Sequence, residues 1–152
     1  MMSDATSNSI QTSFPGRASG LIAVVDDDLP FLRSVGRLLL SAGFAVSTFS
    51  SGREFLAAIP GLMPGCLLVD VHMPEMSGLQ LQERLAALKI RIPIIFITAY
   101  DAPQTREHAR REGCVGLLLK PFDKQSLLEA ICRALGDPPK PYAECEGEVT
   151  LR

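Results

Sequence analysis

The amino-acid sequence predicts an α/β fold in which a doubly wound, five-stranded parallel sheet lies between two layers of helices. Five short apolar runs alternate with segments of helical periodicity. At least four of these runs are nearly continuous in Val, Ile and Leu, which is typical of strands buried on both faces. The chain has 152 residues, of which 47% are hydrophobic, so one domain with a substantial core is expected.

The predicted strands are short, and each is separated from the next by enough residues for a helix. Parallel strands need such crossover connections, which are right-handed and place helices on both faces of the sheet. The strands are LIAVVD (21–26), AVSTF (45–49), CLLVD (66–70), IPIIFIT (92–98) and VGLLLK (115–120).

The segments between the strands carry helix signals. Apolar residues recur at helical spacing, and Gly43 is expected to end the first helix. In the fourth helix, the stretch REHARRE offers only Ala109 to the core, so this helix is expected to be weakly anchored, either as a solvated surface helix or as a movable element. Three helix starts have capping residues: Ser51 with Glu54, Ser77 with Gln80, and Asp101 with Pro103 in the first turn.

Composition separates the domain from its two ends. Residues 1–19 are rich in Ser, Thr, Asn and Gly and are expected to form a disordered leader. Residues 20–136 are expected to form the domain. Residues 137–152 begin with three prolines in five residues, DPPKP, and are expected to be a linker or a free tail.

Charge and hydropathy exclude several classes of function. The net charge of −2 gives no overall attraction to nucleic acid, so DNA binding by this chain alone is not expected. No apolar run approaches the roughly 18 residues of a membrane helix. The N-terminus does not resemble a secretion signal, so the cytoplasm is the expected compartment. Four cysteines without CxxC spacing are expected to be reduced thiols: Cys66, Cys114, Cys132 and Cys145.

Polar residues stand at the carboxyl ends of the predicted strands, where open parallel sheets bind ligands. They are Asp26, Asp27, Asp70, Thr98 and Lys120. Two carboxylates about 4 Å apart repel by roughly 4 kcal/mol at an effective dielectric near 20, so three of them require positive charge nearby. The lysine offsets one negative charge and a divalent cation would offset the other two. Oxygen ligands without a His/Cys cluster favour Mg²⁺ or Mn²⁺.

This combination of groups is suited to phosphoryl transfer. A divalent cation and an ammonium group screen the oxygens of an incoming phosphoryl group, and an ionised carboxylate can attack phosphorus to form an acyl phosphate. Acidic residues follow the first strand directly, with no Gly-rich loop. A nucleotide or flavin phosphate site built from backbone amides is therefore disfavoured.

Four motifs in this order resemble the receiver domains of two-component response regulators, which have a CheY-like, flavodoxin-like (βα)5 three-layer fold. The motifs are VVDDD (24–28), LLVDVHMPEMSG (67–78), ITA (97–99) and LLLKPF (117–122). The resemblance covers about residues 20–136, and the proportions are most similar to the receivers of FixJ-type regulators.

The resemblance implies roles for the acidic residues. Asp70 matches the phospho-accepting aspartate. Asp27 matches the direct Mg²⁺ ligand, with Asp26 acting mainly through metal-bound water and His72 supplying its backbone carbonyl. Asp28 is interpreted as a helix cap rather than a ligand.

The resemblance also implies how the phosphoryl group is bound and sensed. Thr98 and Lys120 would each contact a phosphoryl oxygen, and the bond between Lys120 and Pro121 is cis in relatives. The sequence departs from the family at Leu117, where an aromatic residue is usual; leucine has no ring to rotate, so the aromatic-switch mechanism is not expected here. Tyr100 is the alternative switch candidate.

The implied function is that of a phosphoacceptor rather than an enzyme acting on a small substrate. The donor is a histidine kinase or a histidine phosphotransfer protein, and only self-phosphorylation and slow autodephosphorylation are catalysed. Output is expected through the fourth helix, fifth strand and fifth helix. There Arg106, Arg110 and Arg111 would suit an acidic downstream partner or a homodimer.

Three other interpretations remain. We expect a stand-alone regulator, but a receiver fragment of a longer FixJ-type transcriptional regulator is the alternative. A protein-binding module that works without phosphorylation would normally have lost a site residue. A phosphatase with an aspartyl nucleophile needs a second acid two residues after the nucleophile, where this sequence has His72.

Overall fold

The computed structural model describes residues 20–111 and 113–136, and the leader and tail predicted for 1–19 and 137–152 lie outside the described residues. Five parallel strands form one sheet in the order β2-β1-β3-β4-β5. The strands are β1 Leu21–Val25, β2 Ala45–Phe49, β3 Cys66–Asp70, β4 Ile94–Thr98 and β5 Gly116–Leu119. The helices are α1 Leu29–Ser41, α2 Gly52–Ala58, α3 Gly78–Ala87, α4 Pro103–Arg111 and α5 Lys124–Ala134, and a short 3₁₀ helix, Ile59–Gly61, follows α2. The predicted fold class is confirmed.

The sheet separates two hydrophobic cores. Helices α1 and α5 pack on one face through residues such as Leu39 and Ile131, and α2 and α3 pack on the other through residues such as Phe55 and Leu85. Every residue of β3 and β4 is buried, as expected for central strands covered on both faces. The edge strand β2 is only partly buried, which explains why its sequence, AVSTF, includes polar residues.

Three predicted strands are shorter in the structure than the apolar runs. Strand β1 ends at Val25 and β5 is confined to Gly116–Leu119, so the site residues Asp26 and Lys120 follow the strands directly. Strand β4 begins at Ile94 rather than residue 92, since Pro93 has no N–H to donate to a ladder. Each difference is one or two residues.

Two predicted helix starts are confirmed. Ser51 accepts a hydrogen bond from the Glu54 N–H at 3.1 Å, and Ser77 accepts one from the Gln80 N–H at 3.1 Å. Gln80 returns a bond to the Ser77 N–H at 2.9 Å, which completes a capping box. The Glu54 carboxylate instead accepts from the Ser50 N–H at 2.9 Å, one residue earlier than the capping-box pattern requires.

The predicted cap of α4 is wrong. The helix begins at Pro103, so Ala102 and not Asp101 precedes it. The Asp101 carboxylate accepts a hydrogen bond from the Arg106 guanidinium, one turn into the helix. Ala109 is the only buried residue of α4, as the sequence predicted.

Three of the four cysteines lie among the described residues. Cys66 and Cys114 are free thiols, and Cys145 lies outside the described residues. Among the described residues, no helix has the length and apolar character needed to cross a bilayer.

Candidate functional site

Three carboxylates lie together at the carboxyl ends of β1 and β3. One oxygen atom from each of Asp26, Asp27 and Asp70 lies within 4.8 Å of the other two. Asp26 is fully buried and Asp70 is 7% exposed, whereas Asp27 is exposed. The sequence prediction that these three side chains converge is therefore met by the geometry.

The buried carboxylate of Asp26 is fixed by two hydrogen bonds. Its Oδ1 accepts from the Asp28 N–H at 2.9 Å, and its Oδ2 accepts from Lys120 Nζ at 2.9 Å. The Asp28 side chain does not belong to this cluster and instead caps α1, accepting from the Phe31 N–H at 3.2 Å. Its predicted role as a helix cap is confirmed.

The electrostatic environment of Asp70 disfavours its charged form. Burial, followed by repulsion from Asp26, raises the pKa of its carboxyl from 3.8 to about 6, with a smaller contribution from Asp27. The Lys120 ammonium and a hydrogen bond from the His72 backbone N–H act in the opposite direction. Negative charge in the cluster thus exceeds what the lysine can neutralise, and a cation would relieve the excess.

Lys120 links the cluster to an aromatic pair. Its Nζ atom lies 4.2 Å from the centroid of the Phe31 ring, in addition to its ion pair with Asp26. Phe122 contacts the same ring edge-to-face, with centroids 6.0 Å apart and an interplanar angle of 88°. The bond between Lys120 and Pro121 is cis, in agreement with the resemblance.

The hydroxyl of Thr98 is buried and already engaged. It donates to the Tyr100 carbonyl at 3.1 Å and accepts from the Tyr100 N–H at 3.0 Å, and the residue is 1% exposed. Both hydrogen-bonding functions of the hydroxyl are therefore used by the loop that follows β4.

Two exposed rings lie over this loop. The side chains of His72 and Tyr100 are stacked, with centroids 5.1 Å apart and planes inclined by 22°. Tyr100 is 65% exposed. The stack connects the segment after β3 to the segment after β4, next to the backbone that holds the Thr98 hydroxyl.

Gly78, the last residue of the LLVDVHMPEMSG motif, was not assigned a role by sequence reasoning. A Cβ atom at this position would lie 2.5 Å from the backbone oxygen of Asp70 and 3.1 Å from Cα of Val71. The Gly78 N–H donates to the Val71 carbonyl at 2.9 Å. The first residue of α3 must therefore be glycine for the helix to approach the backbone of Asp70, and its place in the motif was the available signal.

The residues predicted to transmit the signal differ in their environments. Leu117 is 3% exposed and packs into the core on the α2/α3 side of the sheet. Arg110 and Arg111 are exposed, as a docking face requires. Arg106 is half-buried and paired with Asp101, so the structure does not present it together with the other two arginines.

The donor set fits a hard divalent cation. Carboxylate oxygens from Asp26, Asp27 and Asp70 are of the type that Mg²⁺ and Mn²⁺ prefer, and no His or Cys side chain belongs to the cluster of described residues. Asp26 and Asp27 repel the charged form of Asp70, and a bound cation would offset this repulsion, which is a second reason for the fit.

A doubly wound parallel sheet with three carboxylates, a threonine and a lysine at the carboxyl ends of its strands defines a receiver-type signalling domain. The family model for the response regulator receiver domain matches residues 22–132, and the chain belongs to this family. Domains of this family interact with histidine kinases and downstream effectors, and they generally bind Mg²⁺ at an acidic pocket.

Curated relatives are similar over the same region. Response regulator protein TmoT of Ectopseudomonas mendocina is 43% identical over 115 residues, which cover 76% of this chain and 52% of the relative. Nodulation protein W of Bradyrhizobium diazoefficiens is 44% identical over 115 residues, covering 75% and 50%. Transcriptional regulatory protein FixJ of Rhizobium meliloti is 41% identical over 114 residues, covering 74% and 55%. The chain thus spans about half the length of these relatives.

Solved structures support the same assignment. The structure named FixJ-N has a TM-score of 0.72 and 36% identity, and the match covers 80% of this chain and 97% of that one. A response regulator receiver protein from Burkholderia phymatum has a TM-score of 0.68 and 40% identity, with 79% and 98% covered.

Proposed function

We propose that this domain accepts a phosphoryl group on Asp70 in a Mg²⁺-dependent reaction. The donor is a phosphohistidine on a histidine kinase or a histidine phosphotransfer protein. The observation that carries the proposal is the grouping of Asp70 with two further carboxylates, whose oxygens lie within 4.8 Å, beside the Lys120 ammonium. Acceptor, metal ligands and counter-charge are the three components that the reaction requires.

The residues that would hold the cation are Asp26, Asp27, Asp70 and the backbone carbonyl of His72. When bound, Mg²⁺ (or Mn²⁺) supplies positive charge that screens the phosphoryl oxygens. Asp27 is exposed and can serve as a direct ligand, whereas Asp26 is already fixed by Asp28 and Lys120.

The chemical step is an in-line displacement. A carboxylate oxygen of Asp70 forms a bond to phosphorus, the P–N bond to the donor imidazole breaks, and its electron pair goes to the ring nitrogen. The product is an acyl phosphate at Asp70. Lys120 pairs with one phosphoryl oxygen and the Thr98 hydroxyl donates to another.

Signal transmission begins with Thr98. To donate to a phosphoryl oxygen, its hydroxyl must stop donating to the Tyr100 carbonyl, as it does in the unmodified protein. Leu117 packs inward and has no ring to rotate, so Tyr100 is the switch residue that moves with the loop. With His72, the Tyr100 ring controls access of water to the acyl phosphate and so tunes dephosphorylation.

Phosphorylation changes affinity for a downstream protein or for a second copy of the chain. Coupling in two-state domains is typically about 1–3 kcal/mol, which corresponds to a roughly 5- to 150-fold change in affinity. The exposed Arg110 and Arg111 give the α4 face positive charge for an acidic partner.

The test is treatment with acetyl phosphate or phosphoramidate plus Mg²⁺, followed by intact mass spectrometry. We expect one added phosphoryl group, absent in Asp70→Asn. The matched control is Asp28→Asn, because Asn also caps helices and Asp28 does not belong to the cluster. An adduct that persists in Asp70→Asn, or that is lost in the control, would contradict the assignment.

A further inference from the structure

The ring of Phe31 lies against the charged end of Lys120, and we propose that Phe31 is a positioning residue for Lys120 during phosphoryl transfer. Lys120 Nζ lies 4.2 Å from the ring centroid. A cation within about 6 Å of an aromatic centroid is attracted by the negative charge of the ring face. The inference rests on the proposed function, in which Lys120 pairs with the transferred group.

The position of the ring is set by the backbone and by a second aromatic residue, and does not depend on Lys120. Phe31 lies in the first turn of α1, and its N–H is the donor to the capping Asp28 carboxylate. The ring also packs edge-to-face against Phe122, with centroids 6.0 Å apart and an interplanar angle of 88°. Phe31 therefore contacts both Lys120 and Phe122. The contact with Phe122 holds the ring beside the Lys120 ammonium group.

The ring matters because the other partner of Lys120 has a second role. Asp26 Oδ2, which accepts from Lys120 at 2.9 Å, belongs to one of the three carboxylates proposed to hold the cation. The ion pair with Lys120 and the binding of the cation therefore compete for the Asp26 carboxylate. Phe31 has no such competing role, so its contact keeps the ammonium at the site whichever partner Asp26 has. Lysine has a flexible stem, and without this contact its charge can turn toward solvent.

Sequence periodicity accounts for only part of the environment of Phe31, which packs against the core on the α1/α5 side of the sheet. It falls on the apolar face of α1 with Val35 and would be expected to be a core residue. In the structure Val35 is buried, whereas Phe31 is half-buried. The half-buried ring leaves one face for Lys120.

The test compares Phe31→Leu, which keeps the apolar bulk without a ring, with Phe31→Tyr, which keeps the ring. We expect acetyl phosphate to phosphorylate Phe31→Leu about three- to tenfold more slowly than the parent, and Phe31→Tyr within about twofold of it. NMR provides a readout without a donor: the ring current should shift the Lys120 ε-methylene protons upfield in the parent and in Phe31→Tyr, but not in Phe31→Leu.

Three results would overturn the proposal: equal rates in the leucine variant and the parent, an equal loss in both variants, or unshifted Lys120 protons in the parent. The last measurement is made on the parent and can refute the proposal even if Phe31→Leu does not fold. A parent that shows the upfield shift but accepts no phosphoryl group would refute the proposed function while confirming the contact with the ring, so the two failures are distinguishable.

Discussion

Replacing Asp70 with asparagine is expected to stabilise the metal-free protein at neutral pH and to have little effect in acid. The carboxyl of Asp70 has its pKa raised from 3.8 to about 6, mainly by burial and by repulsion from Asp26. The folded protein therefore binds the Asp70 proton more tightly than the unfolded chain does. Between pH 4 and 6 its stability falls as the pH rises, because the unfolded chain has released the Asp70 proton while the folded state still binds it.

The size of the effect follows from the shift. Each pKa unit corresponds to about 1.4 kcal/mol, and a shift of roughly two units gives an upper value near 3 kcal/mol. Asp70 is 7% exposed, so solvent screens this repulsion only in part. We expect Asp70→Asn to raise the free energy of unfolding by about 2 kcal/mol at pH 7.5, with the gain falling toward zero near pH 4.

The assay is urea denaturation of parent and variant in EDTA from pH 4 to 8. Asp28→Asn serves as a control, since it changes an acid outside the cluster and preserves the cap, and its effect should not show the same pH dependence. A stability difference between Asp70→Asn and the parent that is constant with pH would refute the electrostatic reasoning. So would a loss of stability in Asp70→Asn at pH 7.5.

Three other predictions concern the same region. Gly78→Ala should cost about 1–3 kcal/mol in unfolding experiments, because its Cβ would meet the Asp70 backbone at 2.5 Å; Gly61→Ala, with no atom within 4 Å of its Cβ, should have little effect. Mg²⁺ should raise the midpoint of thermal unfolding of the parent and raise it less in Asp27→Asn, because a ligand that binds only the folded state stabilises it; equal increases would contradict the ligand assignment. Tyr100→Ala and His72→Ala should each change the lifetime of the phosphorylated protein measured by loss of the mass adduct, and unchanged lifetimes in both would exclude control of water access by the ring stack.

The fold and the acidic cluster could be predicted from the sequence because both depend on local patterns. Nearly continuous apolar runs identify buried parallel strands, and residues at their carboxyl ends must meet at one edge of the sheet. This reasoning correctly brought Asp26, Asp27 and Asp70 together. The errors in strand ends are small, since a polar residue that continues an apolar run carries no signal for where ladder pairing stops.

Contacts between distant segments could not be predicted in the same way. Nothing in the sequence indicates that Phe31 meets Lys120, because the contact depends on the relative position of α1 and the segment after β5. Arg106 and Asp101, which form an ion pair, are only five residues apart in the sequence. The sequence analysis nevertheless assigned Arg106 to an exposed basic face, because it considered only the charge of the residue. Side-chain direction decided both cases.

The bonds of the Thr98 hydroxyl have a consequence for reversibility. They link it to the backbone of Tyr100, a residue that is 65% exposed. If the hydroxyl turns away from the Tyr100 carbonyl, that oxygen keeps a hydrogen bond from the Ala102 N–H at 3.2 Å, so it is not left without a donor. Release of the carbonyl therefore costs less than breaking the sole hydrogen bond of a buried oxygen would, which favours a reversible rearrangement.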